Sequence, residues 1–260
     1  MSIAEGFAPE WLALRENADA EARATGPPTL VYGHGALVAD LGCGTGSMAR
    51  WLVPRLPGSG RWLLVDRDPE LLDLARRSVP VPARTLEADL DTLRPGDLHG
   101  VSLVVASALL DLLTEDQAVH LARILVDLGC PALFALTVLG RVELWPADPW
   151  DGEFAAAFDA HQRRGGRLGP DAAPLLTEVL HRMGRRVRHF PSPWHLGPRH
   201  PDLTEAWLRG WVGAAAEHHP ALPARAYLER RLAEHAEGRL HATVHHTDLA
   251  VLPPEPSARA

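Results

Sequence analysis

The sequence predicts an α/β fold built on a doubly wound parallel sheet, and three observations carry that prediction. Short apolar runs alternate with amphipathic stretches through the first half of the chain, as strands joined by crossover helices should. The first run leads into Asp40-Leu41-Gly42-Cys43-Gly44-Thr45-Gly46, a glycine-rich turn that opens a helix. Acidic residues then stand where later runs end, at Asp66, Asp89 and Asp111.

Taken in order, residues from about 9 to 24 read as a helix with Trp11, Leu12 and Leu14 apolar, broken by Gly26-Pro27-Pro28. Arg15, Asp19 and Arg23 recur every fourth residue and share one face. Two readings are open: an ion-pair ladder on a surface helix, or a lid whose arginines meet a ligand carboxylate.

Strands follow near 36–41, 61–66, 83–88, 101–106 and 131–137, with helices near 45–55, 68–78 and 114–128. In the turn after the first strand, alternate glycines let the backbone approach a ligand with no Cβ in the way. The helix start behind them offers unpaired N–H groups. Asp40 would repel a bare phosphate and favours a ligand that pairs a cationic amino group with a ribose. Asp66 ends the second strand about twenty residues past Gly46, where a carboxylate meets two vicinal ribose hydroxyls. Asp68, Pro69 and Glu70 start the next helix as N-cap, first helical residue and first-turn acid. Thr114 with Glu115 and Asp116 starts another, and the nearly unbroken apolar fifth strand reads as covered on both faces.

Beyond it lies a Trp- and Pro-rich stretch over 143–150, then helices near 152–163 and 171–183 and a sixth strand near 186–190. Residues 191–200 are too proline-rich for a central strand. Helices near 202–217 and 223–236 precede a last strand over 240–252, possible bulges included, and the tail from Pro253 is expected to fray.

Asp40-x-Gly42-x-Gly44-x-Gly46, followed by acids at successive strand ends, resembles the first motif of the class I S-adenosylmethionine (SAM) dependent methyltransferases. The likeness is specific over about 30–138 and topological beyond. It implies a seven-stranded sheet ordered 3-2-1-4-5-7-6 with an antiparallel seventh strand. It implies one domain over 1–260: an N-terminal lid helix in 1–29, a cofactor-binding core in 30–138, and a substrate-side half in 139–260. Helical insertions would lie between strands 5 and 6 and between strands 6 and 7. The expected cofactor contacts are Asp40, Gly42, Gly44, Gly46, Asp66, Arg67, Asp89, Leu90 and Ser107, with Arg15 and Arg23 from the lid. In that family the acid at Asp89 takes the adenine amino group and the next residue's backbone reaches the ring. Ser102 departs from the family, which often has Asp there.

Two alternatives stand beside this reading. A nicotinamide oxidoreductase would want its third glycine at Ser47, and Asp40 opposes a pyrophosphate. A non-catalytic SAM-binding regulator would keep the pocket without an acceptor site.

Composition narrows the chemistry. All 26 Lys-or-Arg positions of the 260 are Arg, which removes a Walker lysine, a Schiff-base lysine and a pyridoxal phosphate anchor. A formal charge of −7 disfavours an extended nucleic-acid footprint. No apolar run approaches a membrane span, residues 1–5 lack a leader's basic start, and Cys43 and Cys130 suggest no disulfide framework. A cytoplasmic protein is expected, without metal or membrane partner.

Methyl transfer needs alignment of an acceptor and exclusion of water, and a base only if the acceptor must lose a proton. After strand four, Ala106-Ser107-Ala108-Leu109 lacks the Asn/Asp-Pro-Pro-aromatic turn of base-methylating relatives, so a small-molecule O or N acceptor is expected. Its pocket would draw on Asp111, Arg141, Glu143, Trp145, His195 and Arg199. Asp111 and His195 are the catalytic candidates. Asp111 is either a base or amine-orienting group, or a polar residue at a helix start. His195 is either a substrate-contacting loop residue or one bland member of 14 histidines.

Overall fold

The computed structural model describes residues 8–24, 26–31, 36–58 and 60–254; the leader and tail expectations rest on residues largely outside these ranges. The predicted runs form one sheet. β1 (Leu37–Leu41), β2 (Arg61–Asp66), β3 (Ala83–Glu87), β4 (Leu103–Ser107) and β5 (Ala132–Trp145) pair in parallel, in the order β3-β2-β1-β4-β5. Chain reversal then places β8 (His241–Leu252) antiparallel between β5 and the edge strand β6 (Arg186–Pro191). The spatial order is that expected, with one addition: β7 (Trp194–Leu196) pairs antiparallel with β8, making eight strands. Its Pro-flanked residues can pair because they lie outside the central strand path.

Apolar side chains on both faces of β1, β4 and β5 explain the doubly wound layering. On one face, α4 (Glu115–Leu128) and α6 (Ala172–Arg182) bury Leu121, Ile124, Leu125, Leu176 and Leu180 against Val104 and Phe134. On the other, α2 (Ser47–Leu52) and α3 (Pro69–Ser78) bury Met48, Trp51, Leu52 and Leu72 against Val38, Leu64 and Val105. Local chemistry fixes the helix starts. Asp68 accepts from Glu70 N (2.9 Å) and Leu71 N (3.3 Å), while Thr114 and Gln117 form a reciprocal capping box.

A third apolar cluster lies under a cap. α5 (Asp151–Gln162), α7 (Pro201–His218) and α8 (Ala224–Ala236) gather Phe154, Trp207, Trp211 and Tyr227 over β7, β8 and Ala18 of α1 (Pro9–Ala22). Phe154 stacks on Tyr227 with centroids 4.1 Å apart. Among the described residues no helix is long and apolar enough to cross a membrane.

Two further features depart from the sequence reading. β5 does not stop near residue 138 but continues to Trp145, with register shifts against β8 between Phe134 and Thr137 and between Val138 and Val142. Positive φ at Gly140 (67°) lies within the second shift, and a Cβ there would fall 2.7 Å from Asp159 Oδ2. Past that bend Val142 and Leu144 pack toward the cap cluster while Arg141, Glu143 and Trp145 face outward. The surface reading of α1 also fails: Asp19 is 4% exposed and Arg23 is 2% exposed, so the charged face points inward.

Candidate functional site

A cleft of about 400 Å³ opens at the carboxyl ends of β1, β2 and β4, the edge where parallel sheets bind ligands. Its floor is the glycine turn. Gly42, Gly44 and Gly46 all have positive φ, and Gly46 (88°) is the N-cap of α2. A Cβ on Gly46 would lie 2.9 Å from Val79 Cγ2, so this position demands glycine for packing as well as conformation. Gly42 and Gly44 line the cleft; Gly46 does not, and instead closes the turn through its N–H bond to Cys43 O (2.9 Å).

Asp40 occupies the cleft wall just before the turn. It is fully buried, and neither carboxyl oxygen has a hydrogen-bond partner among the described residues. Burial raises its pKa to about 8 against the pull of Arg23, so the free protein holds it largely protonated at neutral pH. Asp66 is fixed differently: Oδ2 accepts from Gly44 N (2.8 Å) and Oδ1 from Asp68 N (3.1 Å). Each oxygen keeps a further acceptor site, and the side chain lines the cleft beside Arg67. Asp89 and Leu90 contribute from the end of β3, Asp89 steadied by Asp91 N on Oδ1 (3.3 Å). Ser107, Ala108 and Leu109 contribute from the end of β4, where Ala108 has a positive φ of 52°.

The N-terminal helix closes one side. Leu12, Arg15 and Asp19 line the cleft. Arg15 Nε donates to Asp19 Oδ2 (2.9 Å), its guanidinium lies 4.9 Å from the Trp194 ring centroid, and Trp194 Nε1 donates to Asp19 Oδ1 (2.9 Å). Arg23 is absent from the lining, because its guanidinium is spent on Ser107 Oγ (3.0 Å), Ser47 Oγ (3.1 Å) and Ser47 O (3.4 Å). It thereby ties the helix to the ends of β4 and the glycine turn.

Neither catalytic candidate lines the cleft. Asp111 follows β4, but Leu109, Leu112 and Leu113 form the wall around it. Its Oδ1 is buried without a partner, and burial lifts its pKa to about 6. His195 is exposed on β7, opposite Thr243, in a separate depression with Arg199 and His241. The pairing of β7 with β8 carries it away from the strand ends. Arg141 and Glu143 pair with each other on the outward face of β5, and Arg199 pairs with Glu21 (3.7 Å), so none of the three lines the cleft. Trp145 is also outside it and exposed. His246 is buried against Trp194, with centroids 5.3 Å apart, and its pKa falls to about 3 through burial. Burial pushes the Cys43 thiol up, which leaves it inert.

One lining residue had no signal in the sequence. Arg167 comes from the loop after α5, in the stretch between the helices expected near 152–163 and 171–183. It reaches the cleft because Leu168 N donates to Leu113 O (2.7 Å) and Arg167 bridges to Thr114.

Residues 38–129 match the family model described as a methyltransferase domain. The chain is 28% identical over 179 residues to the biotin biosynthesis bifunctional protein BioCD of Bordetella avium, a match covering 69% of this chain and 35% of that protein. The chain thus spans about a third of the length of that curated relative. Among solved structures, it resembles the YcgJ protein of Bacillus subtilis (13% identity, 96% of this chain and 100% of that one, TM-score 0.53). It also resembles the cyclopropane synthase MmaA2 of Mycobacterium tuberculosis (16% identity, 90% and 82%, TM-score 0.51). At these identities the two structures establish likeness of fold.

Proposed function

We propose that this chain, whose residues 38–129 match a methyltransferase-domain model, is a class I SAM-dependent methyltransferase that methylates an O or N atom of a small molecule. The observation that carries the reading is Asp40. A carboxyl sealed on a cavity wall with both oxygens unpartnered is costly unless a ligand completes it. A cation does so best, because it favours the ionised carboxylate that burial alone disfavours, and the cofactor's ammonium supplies one where a pyrophosphate would bring only further negative charge. When bound, SAM supplies an electrophilic methyl on a sulfonium and needs no protein nucleophile.

The residues present suit that group. Asp66, held by two backbone N–H groups, would accept from the ribose hydroxyls. Asp89 and Leu90 would take the adenine edge, with Leu93 and Leu113 as apolar walls. Gly42, Gly44, Ser107 and Arg15 would surround the methionine part, and Arg67 would flank the ribose. Arg23 and Gly46 would act from behind, one by holding Ser107 and the other by shaping the turn. Asp111 would act from behind the leucine wall, on the orientation of the β4 loop. The chain's work is then orientation and exclusion of water.

Calorimetry with S-adenosylhomocysteine (SAH) and with NAD tests this. SAH should bind and NAD should not; binding of NAD alone overturns the proposal, and SAH binding without transfer to any acceptor favours a regulator. In the same assay Asp66→Ala should weaken SAH at least roughly tenfold, the worth of one or two charge-assisted hydrogen bonds. Unchanged affinity in a folded variant removes the ribose assignment.

A further inference from the structure

The strand that brings Trp194 to the lid helix has a second face, and that face holds two unspent imidazoles. β7 pairs with β8 as Trp194 with Val244, His195 with Thr243 and Leu196 with Ala242. Side chains alternate across a sheet, so Trp194 and Leu196 point inward and are buried, while His195 points outward. His241, two residues before Thr243, shares that outward face and is exposed like His195. The two are diagonal cross-strand neighbours, roughly 7 Å apart at Cβ. Both line a depression of about 130 Å³ that is separate from the cofactor cleft. Neither imidazole has a hydrogen bond or ion pair among the described residues, whereas His200 is taken by Glu21 (3.1 Å) and His245 lies 3.6 Å from Glu143.

The second observation is Gly197. A Cβ there would fall 2.9 Å from His241 Nδ1 and 3.1 Å from Leu240 O. The bare Cα thus leaves open a space on which a ring nitrogen and a backbone oxygen converge, on the face that His195 shares. Its N–H is held by Thr204 Oγ1 (2.8 Å), which fixes this cradle in place. Two imidazoles beside one carbonyl suit a divalent transition cation: copper, nickel and zinc take imidazole nitrogen readily, at about 2.1 Å for zinc. Magnesium and calcium want oxygen sets that the depression does not offer. Arg199 stands at the rim but leans on Glu21 (3.7 Å), whose charge offsets its own. No group of three or more His, Cys, Asp or Glu among the described residues could hold a metal, so the ion's remaining positions fall to the Leu240 carbonyl and water.

We infer that His195 and His241 together bind a divalent copper, nickel or zinc ion, and that the ion clips β7 to β8. The inference stands apart from the methyl-transfer reading. β7 is three residues long, and it holds the lid: Trp194 Nε1 donates to Asp19 Oδ1 (2.9 Å), and Asp19 accepts from Arg15 at the cleft. An ion on the outward face fixes the backbone from which Trp194 reaches inward. The site leaves no spacing motif in the sequence, because strand register rather than chain proximity brings residues 195 and 241 together.

The test titrates the full chain, without an affinity tag, with Cu²⁺, Ni²⁺ and Zn²⁺ salts alone. One equivalent should bind ahead of any weaker sites, and the Cu²⁺ paramagnetic resonance spectrum should show two imidazole nitrogens. His195→Ala and His241→Ala should each weaken that equivalent at least roughly tenfold, since a lost ligand costs no less than a lost outer-shell partner. His200→Ala and His245→Ala should leave it unchanged. Both ligand side chains are exposed, so their variants should keep the wild-type urea midpoint in the absence of metal. Bound Zn²⁺ should slow amide hydrogen exchange over residues 194–196 in the wild type and not in His195→Ala. Equal affinity in all four variants would mean adventitious ions only and overturn the site, as would a loss confined to His200→Ala or His245→Ala. Tight binding that leaves exchange over 194–196 unchanged would overturn the clip.

Discussion

At Asp40, burial outweighs every charge nearby, and the consequence is measurable. Its pKa stands at about 8 in the folded protein and near the ordinary ~3.9 when unfolded. Between those values the folded state holds a proton that the unfolded state lacks, so stability from this group falls as pH rises and levels off above about 8. Asp40→Asn removes that slope. Urea midpoints should therefore show the variant gaining on the wild type between pH 5 and pH 8.5, and a constant difference would sink the assignment. A ligand cation beside Asp40 also favours its ionised form. SAH binding near pH 7 should release a proton, read from calorimetry in buffers of different ionisation enthalpy, and Asp40→Asn should abolish the release. Asp40 and Asp66 are legible in the sequence because their position follows from a local motif. Arg167 is not, because its place depends on a loop packing against Leu113 from far along the chain.

At the scale of elements, α1 shows how a sequence pattern can be correct and its setting misread. The four-residue repeat of Arg15, Asp19 and Arg23 does make a ladder, with Asp19 Oδ2 2.9 Å from Arg15 Nε and 4.0 Å from Arg23 Nη2. Periodicity says which residues share a face but not what that face meets. Here it meets Trp194 and the serines of the glycine turn and β4. Removing one partner of a buried pair leaves the other charge uncompensated. Asp19→Ala should thus cost about 3 kcal/mol in urea unfolding and weaken SAH binding by loosening Arg15. A loss below about 1 kcal/mol would mean that water replaces the carboxylate, as at a surface pair. β5 makes the same point: the alternation of Val142 and Leu144 with Arg141 and Glu143 is a strand signal, hidden by the Trp and Pro residues that follow.

For the whole molecule, a cofactor-side sheet and a cap built from α5, α7 and α8 divide the labour. The cap is held by Arg231, fully buried, which donates to Pro146 O (2.6 Å) and Glu234 (2.8 Å), pairs with Asp151, and sits over the Tyr227 ring. Arg231→Leu should cost about 3 kcal/mol by stranding buried acceptors, yet leave SAH affinity unchanged, since none of these residues lines the cleft. Equal losses in both would show that cap and cleft are coupled. What the sequence determined alone was the strand–helix alternation, the glycine turn with its acids and the helix caps. Each is set by neighbours within a few residues, through backbone geometry, capping and hydrophobic period. Tertiary structure decided the rest: that α1 turns its charges inward, that β7 draws His195 away from the cleft, that leucines screen Asp111, and that Arg167 enters. Those outcomes depend on which distant surfaces meet, and burial and charge pairing are properties of that meeting rather than of any one stretch of chain.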